Sequence, residues 1–207
     1  KRKDAIEEAI QKKFNIIIMD DGFQDFTIKK NINIICFNST QKIGNGFTVP
    51  AGPLRHSLRS LRSCHAIFIN GGKDTEFEIK LKQYNKNIEF IYYDYIPENI
   101  SEFKNDKLIA FAGIGNPENF FKLIESYDLN LLKKIKYPDH YNYNNSDLDY
   151  LIDLKKKNKA RLVTTEKDYM RLNDNYRENF DFISVKIDLK NSNLFNALLE
   201  KKLYESN

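Results

Sequence analysis

Two adjacent carboxylates, Asp20 and Asp21, close an apolar run in the stretch Ile16-Ile-Ile-Met-Asp-Asp-Gly-Phe-Gln24. In open α/β sheets ligands sit at the carboxyl ends of parallel strands. An acid placed there can hold Mg²⁺, directly or through water, against nucleotide phosphates. Side chains alternate along a strand, so only one of the pair is expected to face a metal at close range. The plain alternative is a strand-end turn whose acid caps the following segment.

A second stretch, Gly44-Asn-Gly-Phe-Thr-Val-Pro-Ala-Gly-Pro-Leu-Arg55, puts three glycines and two prolines within ten residues. That density sets a rigid, non-repetitive loop. It runs into Leu54-Arg-His-Ser-Leu-Arg-Ser-Leu-Arg62, where helical spacing lines Leu54, Leu58 and Leu61 on one face and Arg55, Arg59 and Arg62 on the next. A row of guanidiniums can grip phosphates bidentately, whereas an amphipathic surface helix with solvated arginines needs no ligand.

Further along, Ala110-Phe-Ala-Gly-Ile-Gly-Asn-Pro-Glu118 reads as a strand, a glycine turn and a helix start, with Asn116 as N-cap and Pro117 at the first helical position. Its spacing is neither Gly-x-Gly-x-x-Gly nor a Walker A loop, so it reads as a structural or substrate-shaping turn. In Tyr137-Pro-Asp-His-Tyr141, His140 stands beside Asp139; a histidine oriented by a carboxylate can act as a base or polarise one. His56 and His65 have no comparable setting. In Val163-Thr-Thr-Glu-Lys-Asp168, Thr165 and Asp168 have nearly the spacing and types of a capping box, which explains much of that cluster without catalysis.

The elements that must position these residues alternate. A helical stripe over Asp4–Phe14 hands over to a strand at Asn15–Met19, followed by strands at Ile32–Phe37 and Ala66–Asn70 and a helix over Asp74–Tyr84. The Tyr-rich run Ile88–Ile96, closed by Pro97, reads as a strand and a linker. Then come a strand at Leu108–Ala112, a helix at Pro117–Tyr127, a helix at Ser146–Asn158, a strand at Arg161–Thr164, a short helix from Lys167, a strand at Phe182–Ile187 and a closing helix at Ser192–Leu203. Strands alternating with helices argue for α/β architecture with parallel sheets and crossover helices.

Length and composition set the frame. The 207 residues suffice for one generous domain or two small ones, and 41% apolar with 30% charged residues is a globular composition. Lys and Arg exceed Asp and Glu by 33 − 29 = 4, a weak basic excess that suits a phosphate-bearing ligand or an anionic surface, with no nucleic-acid recognition motif beside it. Cys36 and Cys64 match no metal or redox spacing and are expected to be buried, reduced thiols of a cytoplasmic protein. No apolar run reaches the roughly 18 residues of a membrane span, and no signal peptide is present.

In this order, DDGFQ, GNGFTVPAGPLR, Asn70-Gly71, AFAGIGNPENFF, YPDHYNY and VTTEKD resemble the tetraacyldisaccharide 4'-kinase (lipid A 4'-kinase) family from about Arg2 to Leu172. The resemblance implies transfer of the ATP γ-phosphate to the 4'-hydroxyl of a tetraacyl glucosamine disaccharide 1-phosphate, with Mg²⁺, at the cytoplasmic face of the bacterial inner membrane. It further implies Asp20 and Asp21 near Mg²⁺ and nucleotide, Arg55 serving phosphates or substrate, and Asp139 with His140 as the catalytic acid–histidine pair. The implied architecture is the C-terminal part of a P-loop kinase domain over residues 1–86, a β linker over 87–106 and a second, smaller α/β domain over 107–207. His56 stands where the family usually carries Glu. The family's Walker A loop, an earlier catalytic aspartate and a membrane-associating segment all precede DDGFQ, so the chain is expected to be truncated at its N-terminus and inactive by itself. On that expectation the upstream reading frame encodes a Gly-x-x-x-x-Gly-Lys-Thr-like loop. The competing class is a non-catalytic α/β module that binds a phosphorylated or lipidic glycan.

Overall fold

The computed structural model of the chain describes residues 2–204. Contacts among them divide into two compact units, one running up to Asp94 and resuming at Ile187, the other spanning Tyr95–Lys186. The closing stretch therefore groups with the first unit, not with the second as the expected 107–207 domain has it.

In the first unit, α1 (Arg2–Gln11) leads into a long irregular segment. Strands β1 (Ile34–Asn38), β2 (Ala66–Asn70) and β3 (Glu89–Pro97) follow, with β1–β2 and β2–β3 parallel. Between the last two lies α2 (Thr75–Lys82), started by Asp74, whose carboxylate accepts the Phe77 N–H at 2.9 Å and pairs with Lys42. The two-residue period of the strands delivers Ile67, Ile69, Phe90 and Tyr92 to a core shared with Phe77 and Leu81 of α2. Strand β8 (Val185–Leu189) lies next to β3 in the sheet order β1-β2-β3-β8. Beyond it, Asn191 imitates a strand rung: Tyr92 N–H donates to its Oδ1 at 3.0 Å and its Nδ2 donates to the Phe90 carbonyl at 2.8 Å. Helix α6 (Ser192–Tyr204) then sets Phe195 edge-on to Phe68 with ring centroids 5.0 Å apart.

The second unit is a parallel sheet between helical layers. Its strands are β4 (Lys107–Ala112), β5 (Asn130–Lys136), β6 (Arg161–Thr165) and β7 (Asp181–Ile183), ordered β5-β4-β6-β7 with every pair parallel. Alternate residues of β4 serve opposite faces, as a two-residue period requires. Leu108, Ala110 and Ala112 pack with Phe120, Phe121 and Ile124 of α3 (Pro117–Glu125), whereas Ile109 and Phe111 pack with Leu148 and Leu151 of α4 (Asn145–Asn158). Helix α4 opens on a full capping box between Asn144 and Asp147. A short helix, α5 (Glu166–Tyr169), follows β6 directly.

Several expectations need correction. Ile16–Met19 is not a strand: no described residue pairs with it, and Ile18 is 91% exposed. Apolarity reports what a segment would bury, whereas a strand also needs a ladder partner. Strand β5 is not announced by the sequence, because Lys133, Lys134 and Lys136 interrupt its apolar pattern. Lys134 and Lys136 instead pair with Glu125 and Glu118 of α3, as suits a charged edge strand. The expected single strand Phe182–Ile187 is split into β7 and β8. Cys64 is buried but Cys36 is exposed. The first half of the expected linker 87–106 is core strand, with Phe90, Ile91, Tyr92 and Tyr93 all buried.

Replacing fully buried Leu148 by Ala is expected to cost about 2–5 kcal/mol. Ile18→Ala, at a site open to water, should stay within about 0.5 kcal/mol. Urea midpoints of both variants measure this, and an Ile18 cost matching that of Leu148 would show that residues 16–19 are packed after all.

Candidate functional site

In the first unit the two acids and the arginine loop converge. Phe23 and Leu54 both rest on the β1–β3 core, which holds the DDGFQ and PAGPLR segments side by side. At the surface above them Arg55 grips Asp21 with a two-pronged fork, Nη1 to Oδ1 at 2.7 Å and Nη2 to Oδ2 at 3.2 Å. Asp21 sits in the left-handed region at φ 50°, and Arg2 caps its carbonyl and that of Asp20 at 3.0 and 3.1 Å. The hydrogen bond from Arg55, and then its charge, holds the Asp21 carboxyl below the usual carboxylate range.

Asp20 has no side-chain partner among the described residues and is exposed. No three acidic, histidine or cysteine side chains converge as a cage among the described residues. Mg²⁺, however, takes only one or two carboxylates and completes its shell with waters and phosphate oxygens. The donor set is compatible with that use: the Asp20 carboxylate is open, whereas that of Asp21 is occupied by Arg55.

The loop before Arg55 is as rigid as its composition implies. Asn45 spans it, donating to Ala51 O at 2.8 Å and accepting from Phe47 N–H at 3.1 Å, and Val49 N–H donates to Leu54 O at 2.8 Å. A Cβ on Gly52 would lie 2.4 Å from the Phe47 carbonyl oxygen, so only glycine fits. The expected helix over 54–62 is instead a 3-10 helix, Leu58–Ser63, that begins after Arg55. Arg55 therefore does not stand in one row with Arg59 and Arg62. His56 meets Phe26 edge-on at 5.8 Å.

In the second unit the YPDHY loop folds over the glycine turn at the carboxyl end of β4. His140 N–H donates to Gly113 O at 3.0 Å, and Tyr137 N–H to Ala112 O at 2.9 Å. A Cβ on Gly113 would stand 2.9 Å from the Tyr143 hydroxyl and 3.2 Å from Pro138 O, so the close approach requires glycine. Asp139 lies beside Gly115 and is exposed, as is His140, which also occupies the left-handed region at φ 58°. Backbone held there costs of order 1–3 kcal/mol and persists only where surroundings enforce it.

Sequence reasoning missed what enforces it. Asp168 is fully buried, and its Oδ2 accepts from Gly113 N–H and from the Thr165 hydroxyl, both at 2.9 Å. Thr165 caps α5 as expected, accepting Asp168 N–H at 3.1 Å, but the Asp168 carboxylate turns to a neighbouring strand end instead of closing a capping box. Arg171 then joins the parts: Nη1 reaches Asp168 Oδ1 at 3.2 Å and Gly113 O at 3.1 Å, and Nη2 reaches His140 Nδ1 at 3.0 Å. The three-residue spacing of Asp168 and Arg171 is a readable signal for an ion pair; their partners in the glycine turn after β4 and in the YPDHY loop are not. Beside them the buried Tyr143 hydroxyl makes no well-formed hydrogen bond among the described residues, and burial together with the nearby charge of Asp168 raises its pKa. Asn116 occupies the N-cap of α3 without a side-chain cap.

Neither cluster lies in the cleft of about 920 Å³ in the first unit, which opens at the amino ends of β1–β3 beside Asn33, His65, Lys82, Lys86 and Lys201. What the chain does share with known proteins is a sequence profile: that of the tetraacyldisaccharide-1-P 4'-kinases matches residues 1–204. This chain belongs to that family. The tetraacyldisaccharide 4'-kinase of Pelagibacter ubique is 40% identical, with 100% of this chain matched to 67% of that protein. That of Rickettsia bellii is 38% identical, over 91% of this chain and 58% of its own length. The chain thus spans roughly three-fifths to two-thirds of the length of these kinases. The structure of "apo" form LpxK from Aquifex aeolicus in complex with ATP shares the fold, with a TM-score of 0.59 at 20% identity over 88% of this chain and 56% of that one. For this family member the α/β class read from the sequence is therefore correct.

A depressed carboxyl contributes stability above its ordinary pKa and loses it as pH falls through the lowered value. Arg55→Gln should accordingly move the Asp21 carboxyl titration, followed by its ¹³C shift, up toward the ordinary carboxylate range. Equal midpoints in parent and variant would contradict the fork.

Proposed function

We propose that these residues serve an ATP-dependent lipid A disaccharide 4'-kinase, which moves the γ-phosphate of ATP to the 4'-hydroxyl of a tetraacyl glucosamine disaccharide 1-phosphate. The observation that carries this reading is the family match across residues 1–204, together with clustering of the motif residues into two local sites, Asp21–Arg55 and the His140 loop. The lipid substrate and the family resemblance support a peripheral position at the cytoplasmic face of the inner membrane. No helix among the described residues is long and apolar enough to cross a membrane.

In this reading Asp20 offers its open carboxylate toward Mg²⁺, and Asp21 fixes Arg55 so that its guanidinium faces phosphate or substrate oxygens in a set orientation. Bound Mg²⁺ would neutralise charge on the nucleotide phosphates. Phosphoryl transfer is mostly positioning and electrostatics, which rigid loops supply better than mobile ones. His140 and Asp139 stand on a loop that Gly113 locates from the backbone, suited to orienting the acid that receives the hydroxyl proton.

Assayed as the whole kinase with ATP·Mg²⁺ and the disaccharide, His140→Ala should lower kcat by about 10²- to 10⁴-fold with an unaltered circular-dichroism spectrum. Asp20→Ala should raise the Mg²⁺ needed for half-maximal rate. Wild-type turnover in the first variant, or an unmoved Mg²⁺ titration in the second, would remove that residue from its role. Calorimetric binding of ATP and disaccharide without any turnover would favour a non-catalytic module.

A further inference from the structure

We infer that Arg171 is a positioning residue that decides which nitrogen of His140 carries the proton, and so makes His140 a hydrogen-bond donor at its outward Nε2. A guanidinium has donors only. With Arg171 Nη2 at 3.0 Å from Nδ1, that nitrogen must be the acceptor, and the single proton of the neutral ring stands on Nε2. An imidazolium would set N–H against N–H and forfeit the contact.

The arrangement is over-determined. Gly113 O accepts from the His140 backbone N–H and from Arg171 Nη1, so one carbonyl locates both the backbone of the histidine and the group that orients its ring. Arg171 is in turn held by Asp168 Oδ1, and the other oxygen of that buried carboxylate is bound by Gly113 N–H and the Thr165 hydroxyl. Each link ends on a backbone group or on a side chain with two anchors. The sequence left His140 open as a base or as a group that polarises one. With Nδ1 engaged and Nε2 protonated, the exposed side of the ring donates to a carboxylate or phosphate oxygen and does not take a proton from a hydroxyl. This assigns it the orienting task, a consequence that rests on the kinase reading; the tautomer itself does not.

The test is the tautomer in the 207-residue chain. Long-range ¹H–¹⁵N correlation spectra at pH 8, with signals assigned through His56→Gln and His65→Gln, should show His140 as one species, Nδ1 unprotonated and Nε2 protonated. Arg171→Met should give averaged tautomers, and Arg171→Lys, which keeps a donor, should recover part of the preference. In the whole kinase Arg171→Met should lower kcat about tenfold or more with little change in KM, the scale on which loss of a histidine's orienting partner acts. A His140 protonated at Nδ1 in the unaltered chain, or a tautomer indifferent to Arg171→Met, overturns the inference whatever the fate of the kinase reading. An absence of kinase activity with the tautomer as stated would overturn that reading alone.

Discussion

The second unit is organised around one buried charge. Asp168 has no exposure to water, and an ionised carboxylate in that position costs several kcal/mol unless its oxygens are bonded and its charge is paired. Every partner that meets this demand belongs to the candidate site or supports it: the N–H of Gly113 at the end of β4, the hydroxyl that caps α5, and the guanidinium that reaches His140. The requirement that the charge be satisfied thus fixes the glycine turn, the helix start and the histidine relative to one another. A local capping motif has been extended into a tertiary clamp.

The first unit solves its positioning problem differently. The Asp21–Arg55 fork is exposed on both sides, and such pairs contribute little to stability. Its geometry is maintained by what lies beneath and beside it: Phe23 and Leu54 on the core, the hydrogen bonds spanning the PAGPLR loop, and Arg2 on the carbonyls of the two acids. The ion pair orients the guanidinium and keeps the carboxylate ionised; apolar contacts hold it in place. Both Asp21 and His140 adopt left-handed backbone, as expected of residues whose conformation is imposed by surroundings instead of by local preference.

Much of this was legible in the residue order. Short apolar runs mark β2, β4 and β6, Asp74 marks the start of α2, and glycines with prolines announce a rigid loop before Arg55. The misreadings have specific causes. Strand β5 hides behind lysines because an edge strand has one solvated border, and Ile16–Met19 looked like a strand because apolarity says nothing about the presence of a neighbour. The arginine row over 55–62 failed because the segment winds as a 3-10 helix that starts late. The role of Arg171 is not legible in the sequence, since its partners are Gly113 after β4 and His140 in the YPDHY loop, 58 and 31 residues away along the chain.

The central claim, that a buried carboxylate sets the His140 loop, is tested most directly by native-state hydrogen exchange in Asp168→Asn. That change keeps the side-chain shape while removing the charge. The amides of Gly113 and His140, which donate to Asp168 and to Gly113 O, should both lose protection, while those of Leu108 to Phe111 in the core of β4 keep theirs. Unchanged protection at Gly113 and His140 would show that the loop is held without the charge and would contradict the account.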